Sequence, residues 1–227
     1  MSESGKRGSP TAAQANEGTL ITRGERKQRT RTTLLDAALK LMSEGRSFTS
    51  LGLREITREA GLVPTAFYRH FRDMDELGLA LVEEGGITLR RLLREARKAG
   101  VPAEDIIRSS VRIYLMYVRE HHLHFGFIVG ERMGGSPAIR RAIRLEVTHF
   151  TNEMAQDIQQ LRLLSRELST ATLQMICGLV VSTMLNAAGD ILDLPPKQPK
   201  LENELVEGYV QQLRLVFLGA MQWKERG

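Results

Sequence analysis

The residues best equipped for chemistry lie between Arg23 and Arg72. That segment holds eleven lysines and arginines against five acids, a net of +6, while residues 1–22 balance at zero and 73–227 come to −1. The chain's whole excess of +5 is therefore gathered in one place. This is the distribution expected of a surface that meets a polyanion, the alternative being a solvated basic face. Within it, the run Pro64-Thr-Ala-Phe-Tyr-Arg-His-Phe71 carries side chains suited to nucleic acid. Thr65 and Ala66 are small enough for close backbone approach, and their methyls can meet a thymine methyl. Arg69 suits the paired acceptors of guanine. Tyr68 and His70 can bond phosphate oxygens, which positions a protein without specifying sequence. Phe67 and Phe71 read as core. Arg54 can reach a phosphate or a base. Arg23, Arg26, Lys27, Arg29 and Arg31 either follow a nucleic-acid backbone and its minor groove or form a solvated helix end.

These groups need elements to hold them. Residues 1–22 are rich in Ser, Gly, Ala and Thr without apolar periodicity and read as a disordered tail. From Gly24 the pattern is helical: Leu34, Leu35, Ala38, Leu41 and Met42 share one face, and Gly45 ends the helix. Phe48 and Leu51 can plug a small core. Leu53–Ala60 reads as a second helix, with Gly52 at its N-cap and Glu55 at N3, a capping box lacking the cap side chain. Gly61 breaks it, and Pro64 starts a very short helix extending to Phe71. Two short helices joined by Gly61–Val63 make a helix-turn-helix. Its recognition helix is expected to be Pro64–Phe71, with Pro64 at the end nearest the base edges.

Asp73-Met-Asp-Glu opens a helix running to about Arg97, with Gly85-Gly86 as a point of possible bending. Further helices are expected over Ala103–His121, Leu123–Gly130, Pro137–Gln160, Arg166–Ile191 and Lys200–Glu225. No run alternates long enough for a strand. The expected architecture is all-α with about nine helices: a tail (1–22), a helix-turn-helix domain (23–75), and a larger helical ligand-binding and dimerisation domain (76–227). No stretch approaches the roughly 20 apolar residues a membrane span needs. With a polar Met1–Gly18 and a single cysteine, Cys177, the expected location is cytoplasmic, with no membrane partner.

The run Leu53-Arg-Glu-Ile-Thr-Arg-Glu-Ala-Gly-Leu-Val-Pro-Thr-Ala-Phe-Tyr-Arg-His-Phe resembles the DNA-binding signature of the TetR family of one-component repressors. Ala60-Gly61 in the turn, Phe67-Tyr68 and His70-Phe71, and Glu76-Leu77 in the next helix carry the likeness. Two positions depart from it: Gly52 and Val63 stand where many such proteins have a Ser or Thr cap. The basic residue common after His-Phe-x-x is also absent. The runs 47–55, 64–72 and Asp73-Met-Asp-Glu-Leu-Gly-Leu are similar to the FabR/DesT branch, repressors of unsaturated fatty-acid synthesis and desaturation genes. That resemblance implies a homodimer on a palindromic double-stranded operator and an effector domain sensing long acyl chains on coenzyme A or acyl carrier protein. A repressor of an efflux gene answering to an amphipathic drug is the alternative.

For the effector, an elongated apolar cavity is needed. Ile113, Met116, Tyr117, Phe127, Phe150 and Met154, with Ile128, are candidate lining residues or else plain core. Arg140, Arg141 and Arg144 can meet coenzyme A phosphates or form a solvated face. The dimer is expected through the last two helices. Leu173, Ile176, Val180 and Met184 form one stripe there and Leu205, Leu213, Val216 and Ala220 another, each serving the interface, the protomer core or both. Small residues Gly178, Ser182, Ala187 and Ala188 permit close approach. His121-His-Leu-His124 is not read as a metal site, because adjacent histidines point in different helical directions and no cysteine accompanies them. No nucleotide loop, nucleophile elbow or carboxylate pair nominates a reaction, so neither enzyme activity nor a cofactor is expected.

Overall fold

The computed structural model describes residues 22–98, 103–160 and 168–223, and the expected tail lies outside them apart from Thr22. Nine α-helices and one 3₁₀ turn account for nearly all the described residues, with no strand among them.

Helix α1 (Arg23–Ser43) begins on a full capping box that the sequence reading had assigned to the tail. The Glu25 amide donates to Thr22 Oγ1 at 3.2 Å, and the Thr22 amide donates to Glu25 Oε2 at 2.6 Å. Its Leu34, Leu35 and Ala38 are buried. A 3₁₀ turn (Phe48–Ser50) then drives Phe48 into the core. Helix α2 (Leu53–Glu59) starts on half a box: Glu55 Oε2 accepts the Gly52 amide at 3.0 Å, and Arg46 grips the same carboxylate. The α2 terminus is a Schellman closure, with Leu62 N–H donating to Thr57 O (2.8 Å) and Gly61 N–H to Arg58 O (3.1 Å). Gly61 sits at φ 67°, a conformation that disfavours any Cβ.

Helix α3 (Pro64–Phe67) is shorter than the expected Pro64–Phe71. Beyond Phe67 the backbone tightens into i→i+3 bonds, from Arg69 N–H to Ala66 O and from His70 N–H to Phe67 O, so Tyr68–His70 form a turn. The aromatic residues explain this. Phe67 and Phe71 are both buried, with ring centroids 5.5 Å apart, and that packing overrides the propensity of Tyr-Arg-His to continue the helix.

Helix α4 (Met74–Lys98) is capped by Asp73 Oδ1, which accepts the Glu76 amide at 2.8 Å, and it runs as one helix through Gly85-Gly86. Then follow α5 (Ala103–Glu120), α6 (His122–Glu131), α7 (Pro137–Gln160), α8 (Thr170–Leu192) and α9 (Pro199–Gln222). The expected start of α8 at Arg166 and the last residues of α9 lie outside the described residues. Contrary to the expectation that no stretch approaches a membrane span, α8 is long and apolar enough to cross a membrane by length and composition. Thr172, Leu173, Ile176, Cys177, Val180, Val181, Ala187, Ala188 and Ile191 of that helix are buried within the protomer.

Two main cores result. The first joins α1–α3 to the following helices: Phe48 packs edge-on to Phe127 of α6 (5.5 Å), and Ile139 and Ile143 of α7 complete the cluster. The second is built from α5, α6, α8 and α9 around Val118, Ala188 and Val210. A smaller cluster around Cys177, Ile158 and Ala220 ties α7 to α8 and α9.

Candidate DNA interface and ligand cavity

α2, α3 and the turn that follows carry a set of exposed side chains. Arg54, Pro64, Thr65 and Arg69 are exposed, Ala66 is half-buried, and Tyr68 is 63% exposed. Val63, 65% exposed, joins them; it was read only as a missing cap. A large apolar side chain held out beside polar readers can meet thymine methyls.

Beside this face, Gly24, Lys27, Gln28 and Arg31 of α1 form a notch with Arg69 and His70. His70 is half-buried, and its Nδ1 is buried without a hydrogen-bond partner. Burial, then the charges of Lys27, Arg31 and Arg69, hold its pKa below the usual histidine value. Such a cationic notch favours an anion. Arg29 is exposed on α1. Arg31 is differently employed: it pairs with Glu84 of α4 and lies 5.4 Å over the Phe71 ring, so it ties α1, the recognition turn and α4 together.

Two further bonds cross the same junction. Glu131, almost fully buried at the end of α6, accepts the Phe48 amide at 3.0 Å. Ser136 Oγ donates to Asp75 Oδ1 at 2.9 Å.

A cavity of about 450 Å³ lies among α4–α9, within the range of roughly 300–1,000 Å³ typical of ligand sites. Its walls are mostly aliphatic and aromatic: Leu93, Ile106, Tyr114, Phe125, Ile143, Val181 and Phe217 represent the six helices in part. Polar groups are few, namely Arg90, Ser110, His124, Glu146 and Arg214.

Of the candidate lining residues, Phe150 and Met154 face this cavity, as does Ile128. The other four do not. Met116 is 67% exposed. Tyr117 is buried between His121 and Phe125, Ile113 is half-buried off the cavity wall, and Phe127 belongs to the first core against Phe48. The reason is helical phase. α5 turns Ile106, Ser110, Val111 and Tyr114 inward, and α6 turns His124, Phe125 and Ile128, so neighbours two or three residues on face elsewhere. Gly85, Gly86, Arg90 and Glu146 went unnoticed as lining residues, although a paired glycine within an otherwise regular helix was a visible signal of close approach.

Arg140 donates to the Gly134 carbonyl, while Arg141 and Arg144 are exposed. His122 is exposed, His121 stacks on Tyr117, and among the described residues no three His, Cys, Asp or Glu gather to hold a metal.

A small helix-turn-helix unit fused to a helical domain with an apolar cavity is the architecture of a ligand-responsive DNA-binding regulator. Comparison with known proteins agrees. Residues 34–81 match the profile of bacterial regulatory proteins of the tetR family, and residues 103–216 match the tetracyclin repressor-like C-terminal domain. The chain belongs to the TetR family of transcriptional regulators.

Solved structures with the same fold include the fatty acid degradation regulator FadR from Bacillus halodurans (16% identity, 86% of this chain and 97% of that one, TM-score 0.64). FadR from Bacillus subtilis in complex with stearoyl-CoA is similar to the same degree (16%, 83% and 98%, TM-score 0.62). So is SmeT in complex with triclosan (17%, 85% and 91%, TM-score 0.64).

Proposed function

We propose that this regulator represses genes of lipid metabolism and is gated by a long-chain acyl thioester, with unsaturated fatty-acid synthesis as the pathway the sequence resemblance favours. The observation that carries the reading is the cavity: apolar on most of its wall, with a few polar groups, and bordered by α4, the helix that follows the recognition turn. The stearoyl-CoA bound by a protein of this fold supports it.

In this reading Thr65, Ala66 and Arg69 read bases from the major groove. Pro64 starts the recognition helix against the DNA, Tyr68 and His70 hold phosphates, and Arg29 and Arg54 add backbone contacts. Arg31 contributes to the notch while anchoring α4. Two copies bind the half-sites of a palindrome. The face left open on the last two helices suits that pairing: Met175 and Leu179 on α8, and Leu215, Leu218 and Met221 on α9, are large, apolar and exposed. Of the stripes chosen from sequence, Leu173, Ile176, Val180, Leu213 and Ala220 are buried inside the protomer, and Met184, Leu205 and Val216 pack against its cores. The open face lies a fraction of a turn away.

A drug-responsive regulator is the second reading, favoured by the triclosan that SmeT, another protein of this fold, binds. Calorimetric titration of the purified protein with hexadecanoyl- and hexadecenoyl-CoA, and separately with triclosan, distinguishes them. Tight binding of an acyl thioester with weak or absent triclosan binding is expected. Triclosan binding without acyl binding would overturn the lipid reading.

A further inference from the structure

One corner of the cavity holds polar groups that an aliphatic chain does not use. A β-carbon at Gly86 would lie 2.7 Å from Glu146 Oε2 and 3.3 Å from Arg90 Nη1; one at Gly85 would lie 3.6 Å from His124 Cδ2. The two glycines of α4 thus admit side chains to neighbouring parts of the cavity wall: Gly85 lies against His124 of α6, and Gly86 against Arg90 of α4 and Glu146 of α7. Arg90 and Glu146 form an ion pair, and both are largely buried, with side chains 18% and 25% exposed. His124 Nε2 is buried and has no hydrogen-bond partner. Burial, opposed by Glu84 and Asp36 and aided by His121, holds its pKa below the usual histidine value. A buried polar atom without a partner in a ligand cavity is a place where a bound acceptor removes a standing cost.

The charges around Arg90 restrict what can bind. Arg90 and Arg94 face Glu146, Glu153 and Asp157 between α4 and α7, so among the described side chains carboxylates already outnumber guanidinium groups. A further anion can be held here only if one of the carboxylates leaves. Glu146 has somewhere to go, because His149 Nδ1 lies 3.6 Å from its Oε1 on the outer side of α7, where His149 is half exposed.

We propose that this corner seats the acyl oxygen of the ligand, which accepts from His124 Nε2–H and the Arg90 guanidinium and takes the place of Glu146. The inference rests on the acyl reading of the cavity and adds its polar end. The acyl oxygen can come from a free carboxylate or from a thioester carbonyl. In either case the exchange loosens α4 from α7 at Arg90, six residues beyond Glu84, whose pair with Arg31 holds α1 and the recognition turn.

The test is calorimetric, on the full-length protein, using dodecanoic acid, its S-methyl thioester, and dodecane delivered from cyclodextrin. The wild type should bind at least one acyl ligand about tenfold or more tightly than dodecane, the size of a charge-assisted hydrogen bond. His124→Phe should erase that preference while leaving dodecane unchanged. Glu146→Gln should raise the affinity for the acid about tenfold, change the thioester less, and leave dodecane unchanged. Which of the two acyl ligands loses most in His124→Phe identifies the source of the oxygen. Equal binding of all three by the wild type, or variants that move all three together, would overturn the proposal while leaving the apolar cavity reading intact. Failure of all three to bind would overturn both.

Discussion

Arg69 and Lys27 line the same notch but have different expected roles, and they are separable by experiment. Arg69→Ala should cost about 1–3 kcal/mol against the preferred DNA sequence and flatten discrimination between bases. Lys27→Ala should weaken all duplexes alike and reduce the salt slope by about one. Fluorescence anisotropy over a salt series reads both. His70 adds a pH dependence. Its pKa is held below 6.5 in the free protein by burial and by Lys27, Arg31 and Arg69. A phosphate in the notch favours the protonated ring, so binding takes up a proton. DNA affinity should then rise as pH falls toward the free ring's lowered pKa and level off once the free protein is itself protonated; His70→Gln should lose that rise. Glu55 works on stability instead. Arg46 and the Gly52 amide lower its pKa from 4.5 to about 2. Its contribution is therefore complete above 4.5 and gone once pH has fallen through about 2. The melting-temperature gap between wild type and Glu55→Gln should close across that window. The burial of Phe67 and Phe71 was legible in the sequence, because their apolar rings stand apart from the polar side chains around them. The cavity was not, because periodicity shows that a face is apolar but not which neighbour it meets; hence Phe127 lies in one core and Met116 in solvent.

The helix boundaries followed their punctuation. Gly45 and Gly61, at φ 85° and 67°, end α1 and α2, and Pro64, Pro137 and Pro199 open α3, α7 and α9. The short α3 did not follow, because burial of Phe67 and Phe71 decides where it stops. The α8 and α9 stripes lie in the protomer cores, one of the readings the sequence left open. Two helices sandwiched between a core and an open face are apolar on both sides, and the sequence does not say which side is which. At this scale the sharpest test is Gly61→Ala, which places a Cβ on a left-handed residue at a cost of about 1–2 kcal/mol. That corresponds to roughly 2–8 °C of melting temperature for a protein of this size. Thr22→Ala should cost about 1 kcal/mol through the lost cap.

Across the whole molecule, the DNA face and the cavity meet at one junction. Arg31–Glu84, Glu131 to the Phe48 amide and Phe48 on Phe127 join α1–α3 to α4 and α6, and Ser136–Asp75 fastens the start of α7 to the first turn of α4. A ligand that binds one arrangement of α4 better than another must therefore also bias the recognition turn. In a dimer the bias becomes a change in the separation of the two turns, which have to match half-sites about 34 Å apart. Paired Leu179→Arg and Leu215→Arg changes, at exposed positions off the cavity wall, should leave the protomer folded and shift sedimentation to the monomer, with loss of tight operator binding.

The most direct test of ligand-gated DNA binding uses a duplex selected by the protein from a random pool. Its dissociation constant is measured by mobility shift with no ligand and with saturating hexadecanoyl- or hexadecenoyl-CoA. The account predicts a change of about 5–150-fold for at least one thioester, the usual span of allosteric coupling. By linkage, the duplex must change the affinity for that thioester by the same factor. Identical curves with and without either thioester would contradict it.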